Sequence, residues 1–369
     1  MQQPEAIWLS APAAYMEGEY AMNQENKKHR KKSRVILTVI CAVLAVILVV
    51  LVAATVYVEV TLGRIRRPEQ QQTLSPEEMS SILDETDPYD PNFTGPTYNE
   101  GDVTAPETAP EILNGEHVIN VLLVGTDTDG SYRGHSDSMI LCTIDTEKKT
   151  LVMTSFLRDM YMPIPGYGQS GHAQQRINVS YMSGGFPMLY DTLRENFGVV
   201  VDYGVEVNFN SFAEVIDQVG GVDITLTANE AAHLRGKGYD VQEGLNHMDG
   251  ETALAHARNR TTGGSGDLAR SSRQRAVIEA LIAKAVNMNV GSLYNLVNAL
   301  IPLVVTDMTN GEILSAAKAL APIVGELEII SQRIPADGAY QFATINGNNI
   351  ILPDFDAARK LLQETIGNT

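Results

Sequence analysis

Five arginines, Arg258, Arg260, Arg270, Arg273 and Arg275, fall within an 18-residue stretch whose single carboxylate is Asp267, in a chain of formal net charge -18. So local a surplus of guanidinium in so acidic a protein points to an anionic ligand. Planar forks of N–H donors match phosphate oxygens, and a helix N-terminus beside them adds unpaired backbone N–H groups and the positive end of the helix dipole. The stretch reads as a helix ending near Arg260, a turn built on Gly263, Gly264 and Gly266, and a second helix with Asp267 as its N-cap. On the second helix Arg270 and Gln274 lie one turn apart, and their stripe continues into Val277, Ile278 and Leu281. A cationic end therefore stands on an apolar stem. Surface ion pairing explains any one of these arginines equally well, but it explains the cluster poorly.

Three more charged segments fall at predicted strand ends. Asp127 and Asp129 follow an apolar run in GTDTDG, His135, Ser136 and Asp137 open a hairpin, and Arg158 and Asp159 close it. Loops leaving sheet strands are where an α/β domain gathers reactive groups. Two carboxylates together with phosphate oxygens are a normal way to hold Mg²⁺, which keeps waters and takes few protein ligands. An Asx-turn or a strand-end cap is the competing account of each aspartate taken alone. Other patterns fail on inspection. GQSGH is no nucleophile elbow, because Gly171 directly follows Ser170. DTDGSYRG lacks the ligands and glycine of an EF-hand loop, and His135, His172, His233, His247 and His256 have no metal-ligand spacing.

Elements able to hold such groups are visible in the pattern. VINVLLVG (118–125) is a buried strand, and SMILCTID (138–145) and TLVMTSF (150–156) flank a Glu-Lys-Lys turn as a hairpin. Helices over 186–196, 211–219, 249–258 and 268–287 alternate with strands over 203–207 and 222–226. That alternation predicts an α/β domain with a central sheet covered on both faces. Beyond Gly291 come two more helices, a strand over 328–334, a hairpin over 343–352 and a final helix over 355–366.

The N-terminal third has another character. Lys27, Lys28, Arg30, Lys31, Lys32 and Arg34 precede Val35–Val58, 24 residues without a charge. A helix needs roughly 20 apolar residues to cross a membrane, and a cleaved signal peptide would be shorter. Basic residues ahead of the span place the N-terminus in the cytoplasm and the rest outside the cell membrane. Residues rich in Pro, Thr, Glu and Asp follow and predict a solvated stalk. The expected organisation is a cytoplasmic tail over 1–34, a single transmembrane helix over 35–58, a stalk over 59–113, a catalytic domain over 114–290 and its C-terminal part over 291–369. Two cysteines, Cys41 and Cys142, do not make a disulfide framework. The acidic balance excludes general nucleic-acid binding, which needs a broad basic footprint.

In order, NVLLVGTD (120–127), SDSM (136–139), TSFLRDMYMPIPGYG (154–168), RINVSYMSGG (176–185), NFNSFAEVIDQVGGVDI (208–224), LNHMDGETALAHARNR (245–260) and GDLARSSRQR (266–275) resemble the LytR-CpsA-Psr family of bacterial cell-envelope glycopolymer transferases, over about residues 117–290. The resemblance implies an α-β-α sandwich with a central mixed sheet outside the membrane. It implies Mg²⁺-assisted transfer of a phospho-linked glycan from a polyprenyl pyrophosphate carrier to peptidoglycan. Asp127 and Asp137 would be the metal-binding carboxylates, and Arg158, Arg258, Arg260, Arg270 and Gln274 would grip the pyrophosphate. Asp159 is the candidate to polarise the attacking hydroxyl, on reach alone. One departure stands out: the family usually has Arg immediately before Ser-Asp, and this chain has His135. A histidine is neutral near pH 7 without an anion beside it, and Arg133 in the same loop is the candidate to supply the missing charge. The alternative expectation is a protein that binds the lipid carrier without turnover, or only hydrolyses its pyrophosphate.

Overall fold

The computed structural model describes residues 57–71, 95–99, 101–112, 115–126, 133–168, 171–262, 266–286 and 298–367. The chain forms two compact units, Met1–Thr61 and Leu62–Thr369. Of the first, residues 57–61 are described; they are helical, with Tyr57 and Val60 exposed. The rest of the expected membrane-spanning helix lies outside the described residues. Among the described residues no helix is long and apolar enough to cross a membrane.

In the second unit the strands are β1 (Thr97–Tyr98), β2 (Val118–Thr126), β3 (Ser136–Asp145), β4 (Thr150–Phe156), β5 (Tyr161–Pro163), β6 (Gln174–Arg176), β7 (Tyr203–Asn208), β8 (Val222–Leu226), β9 (Gly244–Met248), β10 (Val304–Thr306), β11 (Glu328–Ile334), β12 (Tyr340–Ile345) and β13 (Asn348–Pro353). The helices are α1 (Asn178–Phe197), α2 (Phe209–Gln218), α3 (Ala228–Gly236), α4 (Gly250–Ala257), α5 (Gly266–Val286), α6 (Asn310–Leu320) and α7 (Phe355–Thr365). Six strands make the central sheet in the order β10-β7-β2-β3-β4-β11. β2, β3 and β4 run antiparallel, while β7 lies parallel to β2 and β11 parallel to β4. The β3–β4 turn closes as read from the sequence, because Asp145 Oδ1 accepts from the backbone N–H groups of Glu147 and Lys148.

Alternation along the strands divides the core. Leu122, Val124, Met139, Leu141 and Phe156 face α1 and α7, where they meet Tyr181, Phe186, Leu189 and Leu362. Ile140, Cys142, Leu151 and Met153 face the other way, against Ile278 and Ile282 of α5 and Leu320 of α6. Burying one such side chain contributes about 1.5–3 kcal/mol, so each layer is fixed to the sheet. The architecture is the expected mixed sheet between helical layers.

Some expectations change. β8 pairs with β9 as a separate ribbon rather than joining the central sheet. Its alternating burial is that of a strand covered on one face only. α1 begins at Asn178, not near Phe186, and bends at Gly185, whose φ of 66° and ψ of -155° lie outside the helical region just ahead of Pro187. α3 has no apolar stripe to announce it; it is held by a capping box in which Thr227 and Glu230 exchange hydrogen bonds. α5 starts at Gly266, so Asp267 lies inside the helix and is not its cap.

The stalk reading also needs revision, because its described parts pack on the domain. Arg66 bridges Val305, Arg67 donates to the carbonyls of Thr306 and Met308, and β1 pairs with β12. Ala109 and Ile112 are buried, their N–H groups donating to the carbonyls of Glu195 and Gly198. At Gly198 a Cβ would stand 2.1 Å from the Pro110 carbonyl, so only glycine lets the segment dock on the end of α1.

Candidate functional site

β3 and β4 run antiparallel with Met139 opposite Phe156, so residues just before Met139 and just after Phe156 meet at one end of the hairpin. There Arg158 Nη1 donates to Asp137 Oδ1 at 2.5 Å. From the other side Arg270, on the first turns of α5, donates from Nη2 to the Asp137 backbone oxygen at 3.3 Å. Two guanidinium groups more than a hundred positions apart thus converge on one residue. Both are buried, Arg158 to 7% exposure and Arg270 to 4%. Gln274, one turn beyond Arg270, lines the same cleft with Ser155 and Ser271. Behind Arg158 stands a second tier: its Nε lies 3.4 Å from Asp159 Oδ1, and Arg176 Nη1 lies 3.6 Å from the same oxygen.

The cleft is narrow, about 10 Å³, room for about one water. Arg158 and Arg270 are turned onto Asp137, so a phosphate group would enter by taking over the donors that Asp137 now holds. Ser155 Oγ and Asn178 Oδ1 are buried beside Arg158 without a hydrogen-bond partner, and the N–H of Asn178 donates to the Arg158 carbonyl. Buried polar atoms left without a partner cost stability. Further along α5, Ala276, Ala280 and Ala283 face Ile329 and Ser331 of β11 across an open groove of about 570 Å³, whose wall also carries Asp223 and Glu279. Gln274 and Ala283 are roughly 13 Å apart along the helix axis. The cleft and the groove are therefore served by one helix.

The other sequence-derived candidates separate. Arg258 is exposed and Arg260 half-buried on the loop after α4, beside the cleft's helix rather than in the cleft wall. Arg273 is no phosphate ligand: it is 5% exposed and its donors go to Glu230, Asn259 and Thr262. Arg275 reaches Ser272, and its guanidinium is desolvated and repelled by Arg333, which lowers its pKa. Asp127 lies outside the described residues. His135 is half-buried immediately ahead of β3. Arg133 does not take its place in the cleft wall but lies over the bend of α1, where a Cβ on Gly185 would meet its Nη1 at 2.6 Å. The bend leaves that space because Gly185 carries no side chain.

Arg133 acts on Tyr181, whose hydroxyl donates to Glu206 Oε2 at 2.8 Å. Glu206, 2% exposed, also accepts from Gln71 at 2.6 Å and from Thr126 at 2.9 Å. Burial, then the Glu206 carboxylate, push the Tyr181 pKa far up, so the phenol stays a donor. Sequence reasoning missed Arg176, Asn178 and Glu206. Arg176 and Asn178 follow no spacing rule, and in YGVEVN the alternating apolar positions are Tyr203, Val205 and Val207, so the pattern reads Glu206 as outward-facing although the structure buries it.

The strand ends of this α/β domain gather buried arginines and a carboxylate, and a groove runs along the same helix. Residues 94–365 match the LytR_cpsA_psr family, and the chain belongs to it. It is 31% identical over 244 residues, 66% of this chain and 76% of the relative, to the polyisoprenyl-teichoic acid–peptidoglycan teichoic acid transferase TagU of Bacillus mycoides. A crystal structure of a Streptococcus agalactiae protein aligns over 67% of this chain and 87% of its own, at 26% identity and a TM-score of 0.57. The family protein YwtF (TagT) with bound octaprenyl pyrophosphate lipid aligns over 71% of this chain and 96% of its own, at 24% identity and a TM-score of 0.53, and so shares the fold.

Proposed function

We propose that this protein is a membrane-anchored, extracellular transferase that moves a phospho-linked glycopolymer from a polyprenyl pyrophosphate carrier to peptidoglycan. The observation that carries the reading is the convergence of Arg158 and Arg270 on Asp137 at the head of a helix whose next turns line an open groove. Family membership and the printed name of the TagU relative support it. Arg158, Arg270 and Gln274 grip the diphosphate, with Arg258 and Arg260 closing from the loop, and the isoprenoid lies along α5. The acceptor hydroxyl attacks the glycan-bearing phosphorus, the P–O bond to the lipid-linked phosphate breaks, and polyprenyl phosphate leaves. Such a displacement needs positioning and charge neutralisation more than covalent chemistry. Asp159, held by Arg158 and Arg176, takes the hydroxyl proton.

Mg²⁺ is part of the proposal. Asp137 with Asp127 would hold it, in competition with Arg158 for the Asp137 carboxylate, and the ion would supply charge neutralisation on the phosphates. Among the described residues no three histidine, cysteine or carboxylate groups form a metal cage, and Mg²⁺ takes few protein ligands. The charge-free run over 35–58 and the basic residues ahead of it support a single-pass anchor with the domain outside.

The test is to incubate the protein with Mg²⁺ and lipid-linked glycan, with and without peptidoglycan. Glycan joined to wall is the expected product; release of free phosphoglycan at the same rate in both arms would make the protein a hydrolase. Arg270→Ala should lower carrier affinity at least about tenfold, or roughly 1.4 kcal/mol. A second reading, carrier binding without turnover, is favoured by His135. If His135→Arg brings no gain where the native protein shows no turnover, that reading stands.

A further inference from the structure

Arg258 and Arg260 stand on a loop that is built from inside. Asn259 between them is buried to 1% exposure, its Oδ1 accepting from the N–H and hydroxyl of Thr261 at 2.9 and 3.1 Å, its Nδ2 donating to Thr262 Oγ1 at 2.8 Å. On either side of the buried Asn259, Arg258 is exposed and Arg260 half-buried. The loop is then fastened at one point. Arg273 Nη1 donates to the Asn259 carbonyl at 2.6 Å, while Nη2 donates to Thr262 Oγ1 at 2.9 Å and to the Thr262 carbonyl. Its Nε donates at 2.7 Å to Glu230 Oε1, and Glu230 Oε2 accepts from the N–H and hydroxyl of Thr227 at the start of α3.

We infer that Arg273 and Glu230 are positioning residues, which set Arg258 and Arg260 toward the diphosphate without touching it. One guanidinium ties together α3, the loop and α5, the helix that carries Arg270 and Gln274. Its donors run in three directions, which a lysine ammonium at the same place would not reproduce. Glu230 orients the fork: desolvation disfavours its charge, but the Thr227 and Arg273 hydrogen bonds outweigh this and hold its pKa below the usual range. The inference rests on the proposed role of Arg258 and Arg260 as diphosphate donors.

The experiment is a cycle of variants of the full chain, with farnesyl diphosphate binding read by calorimetry and thermal midpoints read alongside. Arg273→Lys should weaken binding about tenfold, and Glu230→Gln less, since a carboxamide oxygen still accepts from Nε. In a protein already carrying Arg258→Ala and Arg260→Ala, Arg273→Lys should cost no further affinity while still lowering the midpoint. Equal loss in both backgrounds would make Arg273 a direct ligand, and no loss in the native background would make the pair structural only; either overturns the inference. If Arg258→Ala with Arg260→Ala binds as tightly as the native chain, it is the proposed role of those two arginines that fails.

Discussion

Arg270 and Arg273 lie one turn apart on α5 and do opposite work. Arg270 presents its fork to a cleft, whereas Arg273 ties down a loop. In the sequence they are the same signal, guanidinium in an acidic chain, and only the direction of the side chain separates them. Arg158, Asp137, Arg270 and Gln274 were legible because charge at strand ends and helix spacing place groups by local rules. Arg176 and Asn178 were not, since no charge cluster or helical spacing marks them; β5–β6 pairing brings Arg176 to Asp159, and a backbone hydrogen bond ties Asn178 to Arg158. His256 shows the same dependence on surroundings: it is 2% exposed, and burial lowers its pKa from 6.5 to about 4, with Glu230 opposing and Arg273 assisting. The unfolded chain binds a proton near the first value and the folded chain near the second, so stability falls as pH drops through that window. His256→Gln should flatten the loss between about pH 7 and pH 4 by roughly 2–3 kcal/mol in urea titrations. Identical pH slopes in the two proteins would remove His256 as the cause.

At the scale of the element, the sequence places strong local signals well and weak ones poorly. The β3–β4 hairpin, α5 and the last helix follow from periodicity and turn residues; α2 is fastened at its start by Asn208, whose side chain accepts from the Ser211 N–H at 2.9 Å. Asn208→Ala should cost about 1 kcal/mol, read as a lower urea midpoint at unchanged slope; a loss within error would mean that packing alone holds the start of α2. α3 was missed because it has no stripe and relies on the Thr227–Glu230 box. β8 was read correctly as a strand and incorrectly as part of the central sheet, because alternation reports which face is covered and not which strand lies alongside.

For the whole molecule, the segment after the expected membrane span is a strap rather than a spacer. Residues 66–71 reach β10 and β7, where Gln71 joins Thr126 and Tyr181 on the buried Glu206. Thr126 immediately precedes Asp127 in the sequence, so the strap reaches, through Glu206, the residue next to one proposed metal ligand. On the proposed orientation, a tag placed after Thr369 should be cut by protease added to cells with the wall removed and the membrane intact. Protection until the membrane is opened would reverse the orientation.

Composition, charge and periodicity by themselves determined the class of this protein: an α/β domain following a basic, apolar N-terminal stretch, with arginines where a phosphate belongs. These are properties of neighbours in sequence, and short-range forces express them wherever the chain goes. Which arginine faces the cleft, which one holds the loop, where Arg133 lies and what docks on the sheet edge were decided by the tertiary structure. Those outcomes depend on pairing between distant segments, and a guanidinium takes its role from the acceptor that packing brings within reach.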